Sequence, residues 1–545
     1  MPGKRPDLSL PPDLKNKGGT GPARMRRPTY VDLRAPCEHA CPAGENVQAW
    51  LALAQAGRYR EAWEEIVSQN PLPAIHGRVC YHPCESACNR APLDDAVGIH
   101  SVERFLGDMA LKEGWLPRAQ KPLSEARVLV IGAGPSGLSA AWHLALSGHH
   151  VEVRDGGPAP GGMMRFGIPA YRLPRDVLNG EVERIRRMGV QFVTNHRVND
   201  LEQERVAGGF DAVFLALGAH LSKHVEIPAR DAGRILDAVG FLRDVEDGTT
   251  PQLGRRVAVY GGGNTAMDAA RTVARLGHEP LIVYRRDRAH MPAHDFEAVE
   301  AEEEGVRINW LRTIHSFDEG ELRVEVMSLD ERGRPVGTGR FETLQADDLI
   351  LALGQDAETE FLRGVEGIAV RSDGTVEVDQ RMMTGCAGVF AGGDMVPADR
   401  SVTVAVGHGK RAASHVDAWL RGEEHIEPES PGIATFESLH LWFYTNAEHR
   451  PQSRTEPARR TASFAEVVQG LTEAEATFEA RRCLSCGHCF ECDGCYGACP
   501  EDAIIKLGPG LGYQFIYDIC TGCAVCFEQC PCHAIEMVAE RGAVS

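Results

Sequence analysis

Two stretches of this chain carry the same order of apolar and polar positions. Residues 127–155 open on an apolar run entering a glycine turn (RVLVIGAG). They continue as a helix ending at Gly148 (LSAAWHLALSG) and close on a second strand, HHVEVRD. A short apolar run bounded by glycine reads as a buried parallel strand. Residues 255–285 repeat the order about 128 residues later, as RRVAVYGGG, NTAMDAARTVARLG and PLIVYRR. The repeat predicts two βαβ dinucleotide-binding domains. Upstream, residues 47–66 have apolar positions at helical spacing and few strand formers. Residues 464–482 also read as helical, after a Glu-, Pro- and Ser-rich linker from 424. Residues 1–30, rich in Pro, Gly, Lys and Arg, predict an extended arm lying on another surface.

Composition narrows the class. The 545 residues are 43% hydrophobic and 25% charged, an ordinary globular balance. The net charge of −19 argues against nucleic acid or an anionic membrane as main partner. Residues 128–148 are almost uncharged, but their glycines and proline belong to the turn pattern, so no membrane span is expected. The N-terminal residues lack the apolar core of a signal peptide.

Seventeen cysteines are too sparse for a disulfide scaffold, and they cluster: five in 37–88, eleven in 483–532, and Cys386 alone. Clustering at short fixed spacings reads as metal ligation in a reducing compartment, so a cytoplasmic protein is expected. Cys489, Cys492, Cys495 and Cys499-Pro500 form a run that recurs as Cys520, Cys523, Cys526 and Cys530-Pro531. This resembles a two-cluster bacterial ferredoxin, in which the fourth cysteine of each run serves the other run's cluster. The expected sets are Cys489, Cys492, Cys495 with Cys530, and Cys520, Cys523, Cys526 with Cys499. Cys532 and Cys386 are left as ordinary core or surface residues.

In the first glycine turn, Gly132 permits the tight turn and Gly134 the approach of a pyrophosphate. Gly137 lets the helix that opens with Pro135 and Ser136 pack on the strand, and Asp155 can bond a ribose hydroxyl. In the second, Gly261, Gly263, Asn264, Thr265 and Ala266 repeat the geometry. Arg285 and Arg286 stand where the first site has its acid. They suit a 2′-phosphate, and so NADP(H), the alternative being a solvated strand end.

With CPAG (41–44), GRVCYHPCESAC (77–88), VIGAGPSGL (130–138), PGGMMRFGIP (160–169), YGGGNTAMDAAR (260–271), YRR (284–286) and VFAGGD (389–394), the chain resembles the small-subunit family of glutamate synthase over about residues 36–420. That family also takes in the large subunit of electron-bifurcating transhydrogenases and the N-terminal half of dihydropyrimidine dehydrogenases. The resemblance implies FAD in the first site, lined by Gly161, Gly162 and Met163, with Gly393 and Asp394 on the flavin's ribityl side. It implies NADPH in the second. It also implies two N-terminal clusters. By position Cys41, Cys80, Cys84 and Glu103 match the first, with a solvated helix acid as the alternative for Glu103.

The family's second cluster takes two cysteines from a CxxC upstream of Cys37, and residues 1–36 contain no cysteine. Cys37 and Cys88 are thus left with half a site, and Cys483 and Cys486, in ARRCLSCG, supply the missing pair. The pair comes from the same chain or from a partner chain. Free thiols, or another register of the ferredoxin run, are the competing readings.

The expected architecture is multidomain. An arm (1–30) precedes an α-helical iron–sulfur domain (31–122). A Rossmann-like FAD domain in two parts (123–225 and 380–423) encloses an NADPH domain (226–379). A linker and helix (424–482) then lead to an α+β ferredoxin-like domain (483–545). With FAD, NADP(H) and four 4Fe–4S clusters, the expected activity is an oxidoreductase that passes electrons between NADPH and a low-potential ferredoxin-type acceptor or partner oxidoreductase subunit. Hetero-oligomeric or dimeric assembly is expected. Other readings are a glutamate synthase small subunit, a flavin-based bifurcating subunit and a cluster-bearing scaffold. No catalytic acid or base is expected, since hydride transfer to a flavin needs none.

Overall fold

Arg127–Ile131 is the central strand of a five-stranded parallel sheet in the computed structural model, which describes residues 24–118, 121–223, 227–230, 234–318, 320–426 and 430–540. Its neighbours are His150–Arg154 and Ala212–Leu215, with Gln191–Val193 and Val389–Ala391 at the edges. Arg127–Ile131 and Ala212–Leu215 are almost wholly apolar and buried because both faces are covered, whereas His150–Arg154 alternates, burying Val151 and Val153. Pro135–Leu146 and Val402–Arg421 pack together on this sheet, so closely that a Cβ on Gly409 would lie 2.2 Å from the Ser136 carbonyl oxygen.

A second parallel sheet runs Arg307–Trp310, Glu279–Tyr284, Arg256–Tyr260, Asp348–Leu351, Ile235–Asp237. An antiparallel sheet built on Arg312–Asp318, Glu321–Leu329 and Pro335–Gln345 covers one of its faces. There Phe317, Leu322 and Val324 pack with Ala258, Leu281 and Val283. The strand Val389–Ala391 joins the first sheet only after the second is complete.

The helical reading of 47–66 is corrected to two helices, Val47–Gln55 and Tyr59–Val67. Gly57, at φ +73°, sits in the break, a conformation that costs glycine little. The helix expected over 464–482 is shorter, Glu473–Arg481. Thr472 and Glu475 form a reciprocal capping box that starts it late.

Of the arm expected over 1–30 to lie extended on another surface, residues 24–30 are described. Residues 1–23 lie outside the described residues, but Arg26–Tyr30 is a strand. It pairs antiparallel with Ile535–Ala539, in register from Arg26 opposite Ala539 to Tyr30 opposite Ile535. The Tyr30 ring stacks on Phe515 at 4.6 Å. Arg24 donates to the carbonyls of Tyr517 (2.5 Å) and Cys520 (2.9 Å) and pairs with Glu540. The cysteine-rich C-terminal segment therefore takes a strand from the start of the chain.

Arg482 locks the same fold-back further in. Its buried guanidinium meets Asp94 (3.1 Å), Glu479 (2.9 Å) and the carbonyls of Asp95 and Ala96. Arg90 in turn donates to the Arg482 carbonyl at 2.6 Å. Among the described residues no helix is long and apolar enough to cross a membrane.

Candidate functional site

One cavity of about 960 Å³ joins the two glycine turns. Gly132, Gly134, Pro135, Ser136 and Asp155 line it from the first turn, and Asn264 and Thr265 from the second. Gly132 has φ +106° and faces the Ala216 carbonyl so closely that a Cβ would lie 2.2 Å away. A Cβ on Gly137 would lie 1.9 Å from the Gly132 carbonyl oxygen, which is why the helix can sit so tightly on its strand. A Cβ on Gly134 would meet nothing within 4 Å, so the backbone there fronts open space. Beside it the Ser136 hydroxyl is buried without a partner at the start of the helix Pro135–Leu146. Asp155 accepts from the backbone N–H of Ala133 and of Gly157, both at 2.7 Å, which pins the turn. Open space, an unpartnered hydroxyl and a helix N-terminus fit a dinucleotide pyrophosphate.

Gly162, Met163, Gly393 and Asp394 line the same cavity. Burial pushes the Asp394 carboxyl up, and Arg400 pulls it partly back. Gly161 lies behind the wall, its N–H donating to Ala133 at 2.9 Å.

In the second turn, a Cβ on Gly263 would again meet nothing within 4 Å, and Ala266 is fully buried in the third-glycine position. Gly261, Arg285 and Arg286 stand outside the cavity wall. Arg285 is exposed, whereas the Arg286 Nε is buried with no partner. An unpartnered guanidinium N–H at the strand end fits a phosphate.

The thiols gather in four groups. Cys37, Cys88, Cys483 and Cys486 line one small cavity, and Cys499, Cys520, Cys523 and Cys526 another. The Cys489, Cys492 and Cys495 thiols are each pushed up by burial and by the neighbouring Cys530. The Cys84 thiol is pushed up by burial, then by Glu85, Cys80 and Cys41. Cys532, read from sequence as ordinary, is buried with its sulfur 3.9 Å from that of Cys530. Cys386 is half-buried and packs against the core of the first sheet.

Residues 126–409 match the family described as pyridine nucleotide-disulphide oxidoreductase, and residues 32–115 match dihydropyrimidine dehydrogenase domain II, 4Fe-4S cluster. The chain belongs to the pyridine nucleotide-disulphide oxidoreductases. It is 37% identical over 528 residues to the NADP(+)-dependent formate dehydrogenase subunit beta of Moorella thermoacetica, covering 87% of this chain and 73% of that protein. It is 32% identical over 518 residues to the NADPH-Fe(3+) oxidoreductase subunit beta of Geobacter sulfurreducens, covering 85% and 77%. It is 33% identical over 419 residues to the glutamate synthase (NADPH) small chain of Azospirillum brasilense, covering 71% and 86%. This oxidoreductase is therefore of the NADP-linked flavin and iron–sulfur kind, with an FAD- and NADP-binding region and a 4Fe–4S domain before it.

Around the Cys41, Cys80 and Cys84 group this oxidoreductase buries two carboxyls, Glu103 and also Glu45, which sequence reasoning passed over. Asn70 Nδ2 lies 2.8 Å from Glu45 Oε1 and 2.9 Å from Glu103 Oε1, with His76 Nδ1 2.8 Å away. Burial pushes Glu45 up to about 7. It pushes Glu103 well above the carboxylate range, helped by Glu45 and then Cys80. Two carboxylates bridged by one amide, beside three thiols, form a donor set that favours a cationic guest. Lys410 Nζ reaches the carbonyls of Ala43 (3.2 Å) and Gly44 (3.4 Å) from the other side.

Sequence reasoning also passed over Tyr81. It lines the large cavity, stacks on His294 with ring centroids 3.7 Å apart, and accepts a hydrogen bond from Asn264. Its position between Cys80 and His82 in the GRVCYHPCESAC motif was the available signal.

Proposed function

We propose that this chain is the NADP(H)-side subunit of a larger oxidoreductase complex, exchanging electrons with a low-potential ferredoxin-type acceptor or partner subunit. It would hold FAD, NADP(H) and four 4Fe–4S clusters. The ligand sets would be Cys41, Cys80, Cys84 and Glu103; Cys37, Cys88, Cys483 and Cys486; Cys489, Cys492, Cys495 and Cys530; and Cys520, Cys523, Cys526 and Cys499. When bound, the flavin exchanges a hydride with nicotinamide and single electrons with the clusters.

The chain's own residues arrange these sites in series. Gly134, Ser136, Asp155 and Asp394 would orient the flavin, and Asn264 with Arg285 and Arg286 the nucleotide. Arg482 and Arg90 hold Cys483 and Cys486 against the helical domain, and Arg24 and Tyr30 hold the ferredoxin-like segment beyond them.

The observation that carries this reading is the single cavity lined by Cys37, Cys88, Cys483 and Cys486. Two half-sites with two thiols each meet there, which supports a link made within one chain. The names of the relatives support the subunit character: one is a formate dehydrogenase subunit beta, another an NADPH-Fe(3+) oxidoreductase subunit beta. A glutamate synthase small subunit accounts for the FAD and NADPH regions but leaves the C-terminal cysteine runs without a role.

The test is the Cys483→Ser/Cys486→Ser double variant. Iron per chain is expected to fall by one cluster's content, a quarter of the total. NADPH should still bleach the flavin, while reduction of the ferredoxin-type clusters slows. Unchanged iron would remove the bridging site. A wild-type flavin that NADPH does not reduce would remove the function.

A further inference from the structure

The helix Val402–Arg421 touches two sites at once. Its cap Ser401, with Val402 and Ala405, forms part of the wall of the large cavity next to Asp394. Thr403 turns the other way. It is 4% exposed, and its Oγ1 donates to Cys80 Sγ at 3.1 Å. Further along, Gly407 lies so near the Cys41 loop that a Cβ would stand 2.1 Å from the Pro42 carbonyl oxygen. Lys410 then fastens the same loop. The helix is thus fixed against both the Cys41 loop and the Cys80 loop.

A threonine inside a helix usually returns its hydroxyl proton to the carbonyl of the preceding turn. Thr403 is the second residue of its helix, so no preceding helical turn offers that carbonyl. Its one proton goes to sulfur instead. Cys80 Sγ also receives the His82 N–H at 3.4 Å. Hydrogen bonds to the sulfurs of an iron–sulfur cluster favour its reduced, more negative state and so raise its potential.

We propose that Thr403 is a positioning residue for electron transfer. Its hydroxyl sets how readily the cluster at Cys80 is reduced. The inference rests on Cys80 being a ligand, as in the proposed function.

The test is an EPR-monitored redox titration of the full-length, cluster-loaded protein. Cys80→Ala marks the component belonging to this cluster by its loss. Glu103→Cys, which would make the ligand set all-thiolate, marks the same component by a shift. Thr403→Val keeps the shape and removes the proton donor. At fixed ambient potential its reduced-to-oxidised ratio for that component should fall on the order of tenfold, ~59 mV for a one-electron couple. The other clusters serve as internal references. Thr403→Ser should restore the wild-type value, which a purely steric role would not predict.

An unshifted component in Thr403→Val overturns the inference and leaves the ligand reading standing. Loss of iron from Thr403→Val also overturns it, because the hydroxyl would then build the site rather than tune it. If neither Cys80→Ala nor Glu103→Cys alters any component, the ligand reading itself falls.

Discussion

Tyr81 and Asn264 are joined by a hydrogen bond from the asparagine amide to the phenol oxygen, which ties the Cys80 loop to the second glycine turn. Asn264 is held from its other end too, where its Oδ1 accepts the His294 N–H at 3.2 Å. Burial pushes the Tyr81 phenol up, so it stays neutral through the physiological range. Tyr81→Phe keeps the stacking on His294 and removes the acceptor. A hydrogen bond of this kind contributes about 0.5–1.5 kcal/mol. KM for NADPH should therefore rise roughly two- to tenfold, with iron and flavin content unchanged. An unaltered KM would mean that the contact does not position the turn.

Arg24 holds the donated strand through two carbonyls and Glu540. Arg24→Ala leaves the Tyr517 and Cys520 carbonyls short of a donor next to a thiol group. Each loss costs on the order of 1–3 kcal/mol. The variant should lose the absorbance of the C-terminal clusters at lower guanidinium concentration, while the flavin signal persists to the wild-type midpoint. Coincident midpoints for both signals would count against a separate role for the strand.

Nucleotide preference should follow Arg285 and Arg286. Replacing both with alanine removes charge-assisted bonds to a 2′-phosphate, each worth about 1.5–3 kcal/mol. KM for NADPH should rise at least about tenfold, with KM for NADH nearly unchanged. Steady-state kinetics with both nucleotides decide it, and an equal rise for both would point to a misfolded turn.

Glu181 gives a pH effect with a definite sign. It is fully buried in the helix Arg175–Arg187, accepting from the Ala74 N–H at 2.9 Å and from Arg184 at 2.5 Å. Burial pushes its carboxyl from 4.5 up to about 7 despite Arg184, whose own guanidinium burial pulls down. Between those values the folded chain keeps a proton that the unfolded chain has released. Stability from this group is therefore full below the unfolded value, falls as pH rises through the window, and is level above it. At 1.36 kcal/mol per unit the loss is at most about 3 kcal/mol. Glu181→Gln has no proton to lose, so its melting temperature should fall less than wild type between pH 5 and 7.5. Parallel curves would refute the assignment.

The two βαβ turns are legible in sequence because strand, turn and helix lie within about thirty residues, and glycine is dictated by local backbone approach. The ferredoxin spacing is legible for the same reason. The helix break at Gly57 is hidden because apolar spacing continues across it, with Leu53 and Ala54 before and Ala62 and Trp63 after. The strand Arg26–Tyr30 is hidden because its partner is more than 500 residues away and Pro28 sits in its middle. Thr403 gives no local signal of its contact and Tyr81 only its place in the GRVCYHPCESAC motif, since each acts on a group brought to it by the fold. The meeting of Cys37 and Cys88 with Cys483 and Cys486 is a long-range feature that sequence did suggest, through matching deficits rather than pattern.

Translation order gives that last meeting a consequence. Cys88 leaves the ribosome 395 residues ahead of Cys483. At about 5–20 residues per second the gap is roughly 20–80 s. Through that interval the newborn polypeptide would offer only two thiols of the proposed four-thiol site, and no supply of metal could finish it. Completion of the proposed site within one chain would therefore wait for Cys483 and Cys486 to emerge, and a prematurely stopped message would yield a chain that cannot close it by itself.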